Sequence, residues 1–531
     1  MPVSQVDQDI DRFITAHPDR NFDKVLEEEN RWSVFFQLTD LRAGLFGWYE
    51  MPPEADVLEL GGGFGALTGI LCEKAAHVTV SERSLFRARA ITKRYADCNN
   101  LDVYAGDLPD LHFVRKYDVI VLTGFLSIVG AGSSDEAPYV AYLKSLQNYL
   151  KPSGRLLLAV DNRFGLKYFC GARDPYRQEP FGELSGVPGR GHLFTRQELA
   201  HIVKAAGFAR QKFYYPLPDY RLPQVVYTDA HLPGCDLHEL LTPYDPSADT
   251  RVLPESELYD DILANDAFPF MANSFLVECG GNGADLCPVE YAVITADRGP
   301  KRSVVTSMTG HEEVWKKPLV KAGAGAIQTL AQHMAALAER GLDIVPCQLK
   351  NNMLLMPYVK APTLTSYLQH LDDGEKEKVL AIFDRLWAAI LQSSPPAPDG
   401  DNALAYLAEG ADWGVILRQA YIDMIPTNIF YEEGKLILFN QECVRENYPA
   451  KYPMFRAVYY SYAYLDSIVS LEELKERYNL KRVWEPLVNE EQEFIAATRR
   501  YNVYHQFYSW ADMDRSRMLK NRQILKIIGN E

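Results

Sequence analysis

The stretch VLELGGGFG, at residues 57–65, decides the fold of the chain. Its first four residues predict a buried strand, and the glycines at 61, 63 and 65 allow a tight turn in which the backbone can approach a ligand closely. The segment ALTGILCEKA that follows predicts a helix. A strand, a glycine-rich turn and a helix in this order are typical of a ligand-binding α/β unit, but the glycines alone could bind a dinucleotide or no ligand at all.

Predicted strands and helices alternate on the C-terminal side of this turn. The segments HVTVSE, LDVYAGDL, YDVIVLT and GRLLLAV indicate strands, with helical segments among them. This alternation predicts a doubly wound α/β sheet with parallel strands. We expect this domain to span residues 51–280, with a helical segment at residues 1–50 ahead of it. RQKFYYPL and NSFLVECG are candidates for its closing strands.

Three carboxylates stand at the ends of the first three predicted strands. Glu59 can accept a hydrogen bond from a ligand ammonium, and Glu82 can hold both hydroxyls of a ribose. Asp107 can accept from an adenine amino group. A ligand with an ammonium, a ribose and an adenine, but no phosphate, is S-adenosylmethionine.

Residues 56–127 resemble the class I S-adenosylmethionine-dependent methyltransferases, which have a Rossmann-like fold. The alternative is a dinucleotide-binding domain, but Glu59 and Asp107 have no purpose in binding a pyrophosphate. The string VDNRFGLKYFCGARD, at residues 160–174, is similar to a subgroup found among bacterial glycan and cell-surface biosynthesis proteins. The resemblance implies that the cofactor contacts come from Glu59, Gly61, Gly63, Gly65, Glu82, Asp107 and Thr123.

A hydroxyl acceptor needs a general base near the carboxyl ends of the strands. Tyr139 lies in a nearby helix, and each candidate has a structural alternative, such as capping a turn or packing. The Asn/Asp-Pro-Pro-Tyr signature of amide and base N-methyltransferases is absent, which favours an oxygen acceptor. The candidate catalytic residues are Asp161, Asn162, Lys167, Tyr168 and His192.

The composition changes after GGNGADLC, at residues 280–287, and short strands in series are followed by long helices. We expect a second, α+β domain at residues 288–531. The string YIDMIPTNIFYEEGKLILFNQE resembles the catalytic and metal loops of protein-kinase-like phosphotransferases, including the aminoglycoside phosphotransferase group. The resemblance implies that Asp423 accepts a hydroxyl proton, that Asn428 holds magnesium, and that Lys316 or Lys317 contacts ATP.

Two departures from that family indicate a degenerate domain. The metal-binding Asp of the family falls on Asn440, and the helix after the lysines offers no Glu in its first turns. The alternative is a turn-stabilising role for Asp423 and Asn428 in a kinase-like fold without catalysis. The C-terminal segment 499–528 has a helical pattern that fits either core packing or self-association into a homo-oligomer.

Composition excludes several classes of protein. The 531 residues carry a formal net charge of −16, which argues against nucleic-acid binding. No apolar run is long enough for a membrane span, and the polar N-terminus does not resemble a signal peptide. The 8 cysteines form no C-x-x-C pair, so we predict free thiols in a cytoplasmic protein and no zinc site.

The sequence therefore predicts an S-adenosylmethionine-dependent methyltransferase that methylates an oxygen of a sugar or glycan-related acceptor, with a degenerate kinase-like domain. Two alternatives stay open. One is a bifunctional enzyme that both methylates and phosphorylates a glycan end, with ATP and magnesium as further ligands. The other is a regulatory scaffold that binds S-adenosylmethionine without turnover.

Overall fold

The computed structural model of the chain describes residues 3–108, 113, 115–130, 135–182, 191–234, 237, 242–243, 250–310, 313–398, 401–504, 507–509, 518–520 and 523. The chain divides into two units. The first consists of Met1–Gly310, Leu319–Lys321 and Arg500–Glu531, and the second of His311–Pro318 and Ala322–Arg499.

The described strands are, in chain order, β1 (Asp56–Leu60), β2 (His77–Glu82), β3 (Leu101–Ala105), β4 (Tyr117–Thr123), β5 (Leu150–Asp161), β6 (Arg210–Leu217), β7 (Val225–Thr228), β8 (Thr242–Pro243), β9 (Ser274–Gly280), β10 (Val289–Thr295), β11 (Val304–Thr309), β12 (Glu313–Pro318), β13 (Gln348–Lys350), β14 (Met353–Pro357), β15 (Ile416–Tyr421), β16 (Ile429–Glu432), β17 (Lys435–Leu438), β18 (Val444–Pro449) and β19 (Tyr508–Ser509).

The described α-helices are α1 (Gln5–Ala16), α2 (Asp23–Glu28), α3 (Trp32–Leu38), α4 (Thr68–Lys74), α5 (Leu85–Arg94), α6 (Leu126–Val129), α7 (Ala137–Leu146), α8 (Leu166–Phe169), α9 (Arg196–Ala205), α10 (Tyr259–Ala264), α11 (Phe268–Met271), α12 (Ala324–Glu339), α13 (Leu364–Gln369), α14 (Lys376–Gln392), α15 (Lys451–Tyr459), α16 (Tyr462–Leu465), α17 (Leu471–Arg477), α18 (Trp484–Thr498) and α19 (Tyr501–Tyr504).

The first unit is built on one sheet with the strand order β11-β10-β7-β6-β9-β5-β4-β1-β2-β3. Strands β5, β4, β1, β2 and β3 are parallel, as the alternating pattern predicted. Side chains of β4 alternate between two core clusters, because Ile120 and Leu122 pack on one face and Val119 and Val121 on the other. A parallel sheet buried on both faces explains the near-continuous apolar runs of these strands.

The units do not coincide with the predicted domain boundaries at residues 280 and 288. Strand β10 pairs antiparallel with β7, with Ala292 opposite Val226, and so extends the first sheet beyond its predicted end. The C-terminal segment also returns to the first unit, where the ring of Phe507 stacks on that of Phe35 with centroids 4.3 Å apart. Helix α19 and strand β19 lie in the C-terminal segment that was predicted to be helical, and most of this segment lies outside the described residues.

The second unit combines small antiparallel pairings with helices. Strands β12, β14 and β13 pair side by side, β15 pairs with β18, and β16 forms a hairpin with β17. Helices α14, α15 and α18 supply much of its apolar core. This is the α+β order that the sequence predicted, while the likeness to kinases stays a prediction.

Candidate functional site

The glycine-rich turn between β1 and α4 adopts a backbone that favours glycine. Gly61, Gly63 and Gly65 have φ angles of 74°, 59° and 81°, all in the left-handed region. Gly62, which the motif alone did not single out, is confined by space instead. A Cβ added there would lie 2.5 Å from Val80 Cγ1, so the turn could not keep its place against β2.

A cavity of about 1120 Å³ opens above this turn, at the carboxyl ends of the parallel strands. Its volume exceeds the upper end of the range of roughly 300–1,000 Å³ that is usual for one small ligand. Gly65 is not part of its lining, and the Gly65 carbonyl accepts a hydrogen bond from the Tyr95 hydroxyl at 2.7 Å. The predicted cofactor residues that line the cavity are Glu59, Gly61, Gly63, Glu82, Asp107 and Thr123.

Glu59 is a buried carboxyl, and one described hydrogen bond compensates for its loss of contact with water. The Thr68 hydroxyl donates to its Oε2 at 2.6 Å. Burial raises the pKa of Glu59 to about 7, although the hydrogen bond from Thr68 and the charge of Arg42 both act to lower it. A carboxyl in this state is suited to pair with a ligand cation, because a cation would favour its ionised form.

Glu82 connects the end of β2 to the glycine turn. Its Oε2 accepts from the backbone N–H of Gly63 at 2.8 Å, and its Oε1 accepts from the N–H of Ser84 at 2.9 Å. Two backbone donors fix the carboxylate at the cavity wall. Asp107 lies farther along the same wall and forms an ion pair with Arg83 at 3.0 Å.

Two lining residues, Gln37 and Arg42, come from the N-terminal segment and were not predicted. Gln37 Oε1 accepts from the N–H of Phe64 in the glycine turn at 3.3 Å. Arg42 lies in a 3₁₀ turn, Asp40–Leu45, that precedes β1. Neither residue stands near a recognisable motif, so sequence reasoning had no local signal for them.

A buried ion network stands at the wall of the cavity. Asp161 binds Lys167 Nζ at 2.7 Å and Arg221 at 2.6 Å, and Asp219 contacts the same two cations at 3.3 and 2.9 Å. Burial alone would raise the pKa of Asp161, but the charges of Arg221 and Lys167 outweigh it and hold the pKa well below its usual value. Arg221 and its neighbour Tyr220 line the cavity.

The candidate catalytic residues Asp161, Asn162, Lys167, Tyr168 and His192 are not among the residues that line the cavity as described. The Asn162 amide donates to the carbonyls of Phe270 and Ala272, at 2.7 Å each. Tyr168 is buried in a small apolar cluster. His192 Nε2 lies 2.6 Å from Glu198 Oε1.

The second unit brings together most of the residues predicted for its phosphotransfer site. Lys316 Nζ donates to the side chains of Asn440 and Glu442. The Asn440 amide donates to Asn428 Oδ1 at 3.3 Å. Glu442 was not predicted, and it supplies the carboxylate partner that the helix after Lys316 lacks. Lys317 is buried next to Lys316.

Asp423, the predicted proton acceptor of this second site, has both carboxylate oxygens engaged by protein groups. Oδ2 accepts from the N–H of Cys443 at 2.7 Å, and Oδ1 accepts from Arg456 at 3.2 Å. Arg456 is buried and also binds Glu491 at 2.8 Å. These contacts hold the Asp423 carboxylate in a structural network.

The described part of the chain contains neither a membrane-spanning helix nor a cluster of metal-ligating side chains. No helix there combines the length and hydropathy needed to cross a bilayer. Within the same ranges, no three His, Cys, Asp or Glu side chains form a group that could hold a metal ion.

The chain is similar to known methyltransferases over part of its length. A family model described as a methyltransferase domain matches residues 30–211. The N-methyltransferase NodS from Bradyrhizobium japonicum WM9 is 19% identical over 20% of this chain and 59% of its own, with a TM-score of 0.19. A SAM-dependent methyltransferase from Thermotoga maritima is 17% identical over 49% of this chain and 97% of its own, with a TM-score of 0.28. No curated protein matches the chain.

The family match covers most of the residues that line the cavity, although Tyr220 and Arg221 lie beyond its end. It begins just before α3 and ends at the start of β6. The glycine turn and all three strand-end carboxylates lie within it. The chain therefore carries a methyltransferase domain at residues 30–211.

Proposed function

We propose that the protein transfers the methyl group of S-adenosylmethionine to a hydroxyl of a sugar or glycan-related acceptor. The observation that carries the proposal is the meeting of Glu59, Glu82 and Asp107 around the glycine turn in one cavity. When bound, the cofactor supplies a methyl group that its sulfonium already activates. The protein then has to hold the acceptor in line with that methyl group.

The cavity fits the cofactor in two respects. A Cβ at Gly61 would meet nothing nearer than Phe125, at 3.9 Å, so the turn leaves open space for a ligand. Glu59 faces the same space as a buried carboxyl whose one described hydrogen bond comes from a neutral hydroxyl. We assign the cofactor ammonium to Glu59, the ribose hydroxyls to Glu82 and the adenine amino group to Asp107. Thr123 would lie beside the cofactor.

The rest of the cavity suits an acceptor with hydroxyl groups. Phe125, Tyr142, Tyr176 and Tyr220 line it, and such aromatic walls with a few polar groups are usual in small-molecule sites. Burial raises the pKa of all three tyrosines well above the usual value, so their hydroxyls stay protonated and can donate to an acceptor oxygen.

The catalytic roles of Asp161, Asn162, Lys167, Tyr168 and His192 stay predictions. Asp161 and Lys167 are suited to hold Arg221 at the cavity wall, since all three belong to one ion network. Calorimetry with S-adenosylmethionine, followed by mass spectrometry of a panel of sugar acceptors, tests the proposed function. Absence of cofactor binding would contradict it, and binding without product on any acceptor would favour the scaffold alternative.

The affinity for S-adenosylmethionine is expected to fall about fivefold between pH 7 and pH 6. Glu59 must be ionised to pair with the ammonium, and its pKa of about 7 means that the ionised fraction drops by this factor. The ligand ammonium remains protonated in this range. Calorimetry at both pH values measures the change. Glu59→Gln is the matched control, and an equal pH dependence in this variant would assign the effect to another group.

We further propose that the second unit is a degenerate kinase-like domain. The support is that Asp423 is held by Cys443 and Arg456, and that a neutral Asn440 stands where the family has a metal-binding Asp. An amide is a weaker magnesium ligand than a carboxylate. The bifunctional alternative requires Asp423 to leave these contacts.

Incubation with ATP and magnesium or manganese is expected to give turnover far below the rate of about 1 s⁻¹ or more that is typical of kinases. The reason is that protein groups engage both carboxylate oxygens of Asp423, the predicted proton acceptor, and that Asn440 is a neutral metal ligand. A coupled assay for ADP, with and without glycan acceptors, measures the rate. Turnover near 1 s⁻¹ that disappears in Asp423→Ala would contradict the prediction and support the bifunctional enzyme.

A further inference from the structure

Arg42 is a buried cation that makes no ion pair among those described for the chain. The residue is 2% exposed and lies in the wall of the methyltransferase cavity. Burial lowers the pKa of its guanidinium to about 10. Buried arginines are rarely found without an anion to balance them, because an unpaired charge is costly to remove from water. A ligand anion would supply that balance.

The described contacts of Arg42 are with neutral groups. Nη1 donates to the backbone carbonyls of Tyr220 and Arg221. The guanidinium carbon lies 4.3 Å from the centroid of the Phe36 ring. Its Nε is buried and has no hydrogen-bond partner in the described part of the chain. The carbonyls hold one end of the planar group, and its other N–H donors retain the fork geometry that matches a carboxylate.

Glu59 is the complementary group in the same cavity. The charge of each of the two side chains shifts the pKa of the other, but the pair is not one of the described ion pairs. The cavity wall thus offers a carboxyl that favours a cation and a guanidinium that favours an anion. A ligand that carries an ammonium and a carboxylate on one carbon would satisfy both groups together.

We propose that Arg42 binds the α-carboxylate of the methionine moiety of S-adenosylmethionine while Glu59 binds its ammonium. The proposal rests on the proposed function, because it requires this cofactor in the cavity. The two residues then select a ligand with an amino-acid end over a nucleoside that lacks one. Arg42 comes from the segment before β1, so this segment becomes part of the cofactor site.

Calorimetry with three ligands tests the proposal without any turnover. S-adenosylhomocysteine carries the carboxylate, its decarboxylated analogue lacks only the carboxylate, and 5′-deoxy-5′-methylthioadenosine lacks the whole amino-acid end. The wild-type protein is expected to prefer the first ligand over the second by about 10- to 100-fold, the range for a charge-assisted contact. Arg42→Gln is expected to bring this ratio close to one and to leave the affinity for methylthioadenosine within about twofold.

Arg31→Gln is the matched control, because Arg31 lies in the same N-terminal segment but is balanced by Asp9 at 2.9 Å and does not line the cavity. In this control the preference for S-adenosylhomocysteine over its decarboxylated analogue should equal that of the wild type. Arg42→Lys should keep part of this preference. A wild-type ratio near one would overturn the proposal even if the Arg42 variants fail to fold. An unchanged ratio in folded Arg42→Gln would also overturn it. If the wild type binds none of the three ligands, the proposed function is overturned instead.

Discussion

Replacing Asp161 with asparagine is expected to lower the free energy of unfolding by about 3–5 kcal/mol, the usual cost of removing one partner from a buried ion pair. The carboxylate contacts two buried cations, Lys167 at 2.7 Å and Arg221 at 2.6 Å. Asparagine would leave both cations with Asp219 as the remaining partner. The amide N–H groups of the new asparagine would also face Lys167 and Arg221, which are donors and cannot accept a hydrogen bond. Urea unfolding measures the loss as a shift of the transition midpoint.

The dependence of this loss on pH gives a second readout. Although burial opposes ionisation, the charges of Arg221 and Lys167 hold the pKa of Asp161 well below that of an unfolded aspartate. The carboxylate therefore contributes fully above about pH 4, and the contribution is lost as the pH falls further. The difference between wild type and Asp161→Asn should be full at pH 7 and smaller below pH 4.

Asp97→Asn is the control for the Asp161 variant. Asp97 forms an ion pair with Arg20 in the same unit, but its side chain is 65% exposed, so we expect a loss of at most about 1 kcal/mol. A similar loss in both variants would contradict the assignment of a special stabilising role to the buried network.

The meeting of the glycine turn and the strand-end carboxylates at one cavity could be predicted because their signals in the sequence are local. The glycines at 61, 63 and 65 follow a strand directly, and all three adopt the left-handed backbone that their residue type allows. Glu82 and Asp107 end the next two strands, and the carboxyl ends of parallel strands meet at one edge of a sheet. Residues distant in sequence were thus placed together by topology alone.

The remaining parts of the site depend on contacts that no local pattern encodes. Asp161 was predicted as a base candidate, but its partner Arg221 comes from the loop after β6, and the charges of Arg221 and Lys167 decide its ionisation state. Arg42 reaches the cavity only because the segment before β1 packs there. For a similar reason the sequence could not show that β10 extends the first sheet, since its apolar pattern does not say which strand it pairs with.

Glu82→Ala is expected to weaken the binding of S-adenosylmethionine by about 100-fold or more. The carboxylate accepts from the backbone N–H groups of Gly63 and Ser84, and we assign its further hydrogen bonds to the two ribose hydroxyls. Charge-assisted hydrogen bonds contribute about 1.5–3 kcal/mol each. Asp102→Asn is the matched control, because Asp102 also belongs to this sheet but pairs with His77 and does not line the cavity. Calorimetry on both variants measures the difference.

The loss in Glu82→Ala has two sources that a second ligand separates. The variant removes the support of the glycine turn at Gly63, which weakens every ligand that contacts the turn, and it removes the acceptor for the ribose. A 2′,3′-dideoxy analogue of S-adenosylhomocysteine cannot use that acceptor, so the wild type should bind it more weakly than S-adenosylhomocysteine. In Glu82→Ala this preference should disappear, even if the turn has also shifted and both affinities have fallen. A preference that survives in the variant would mean that another group holds the ribose and that Glu82 acts through the turn alone.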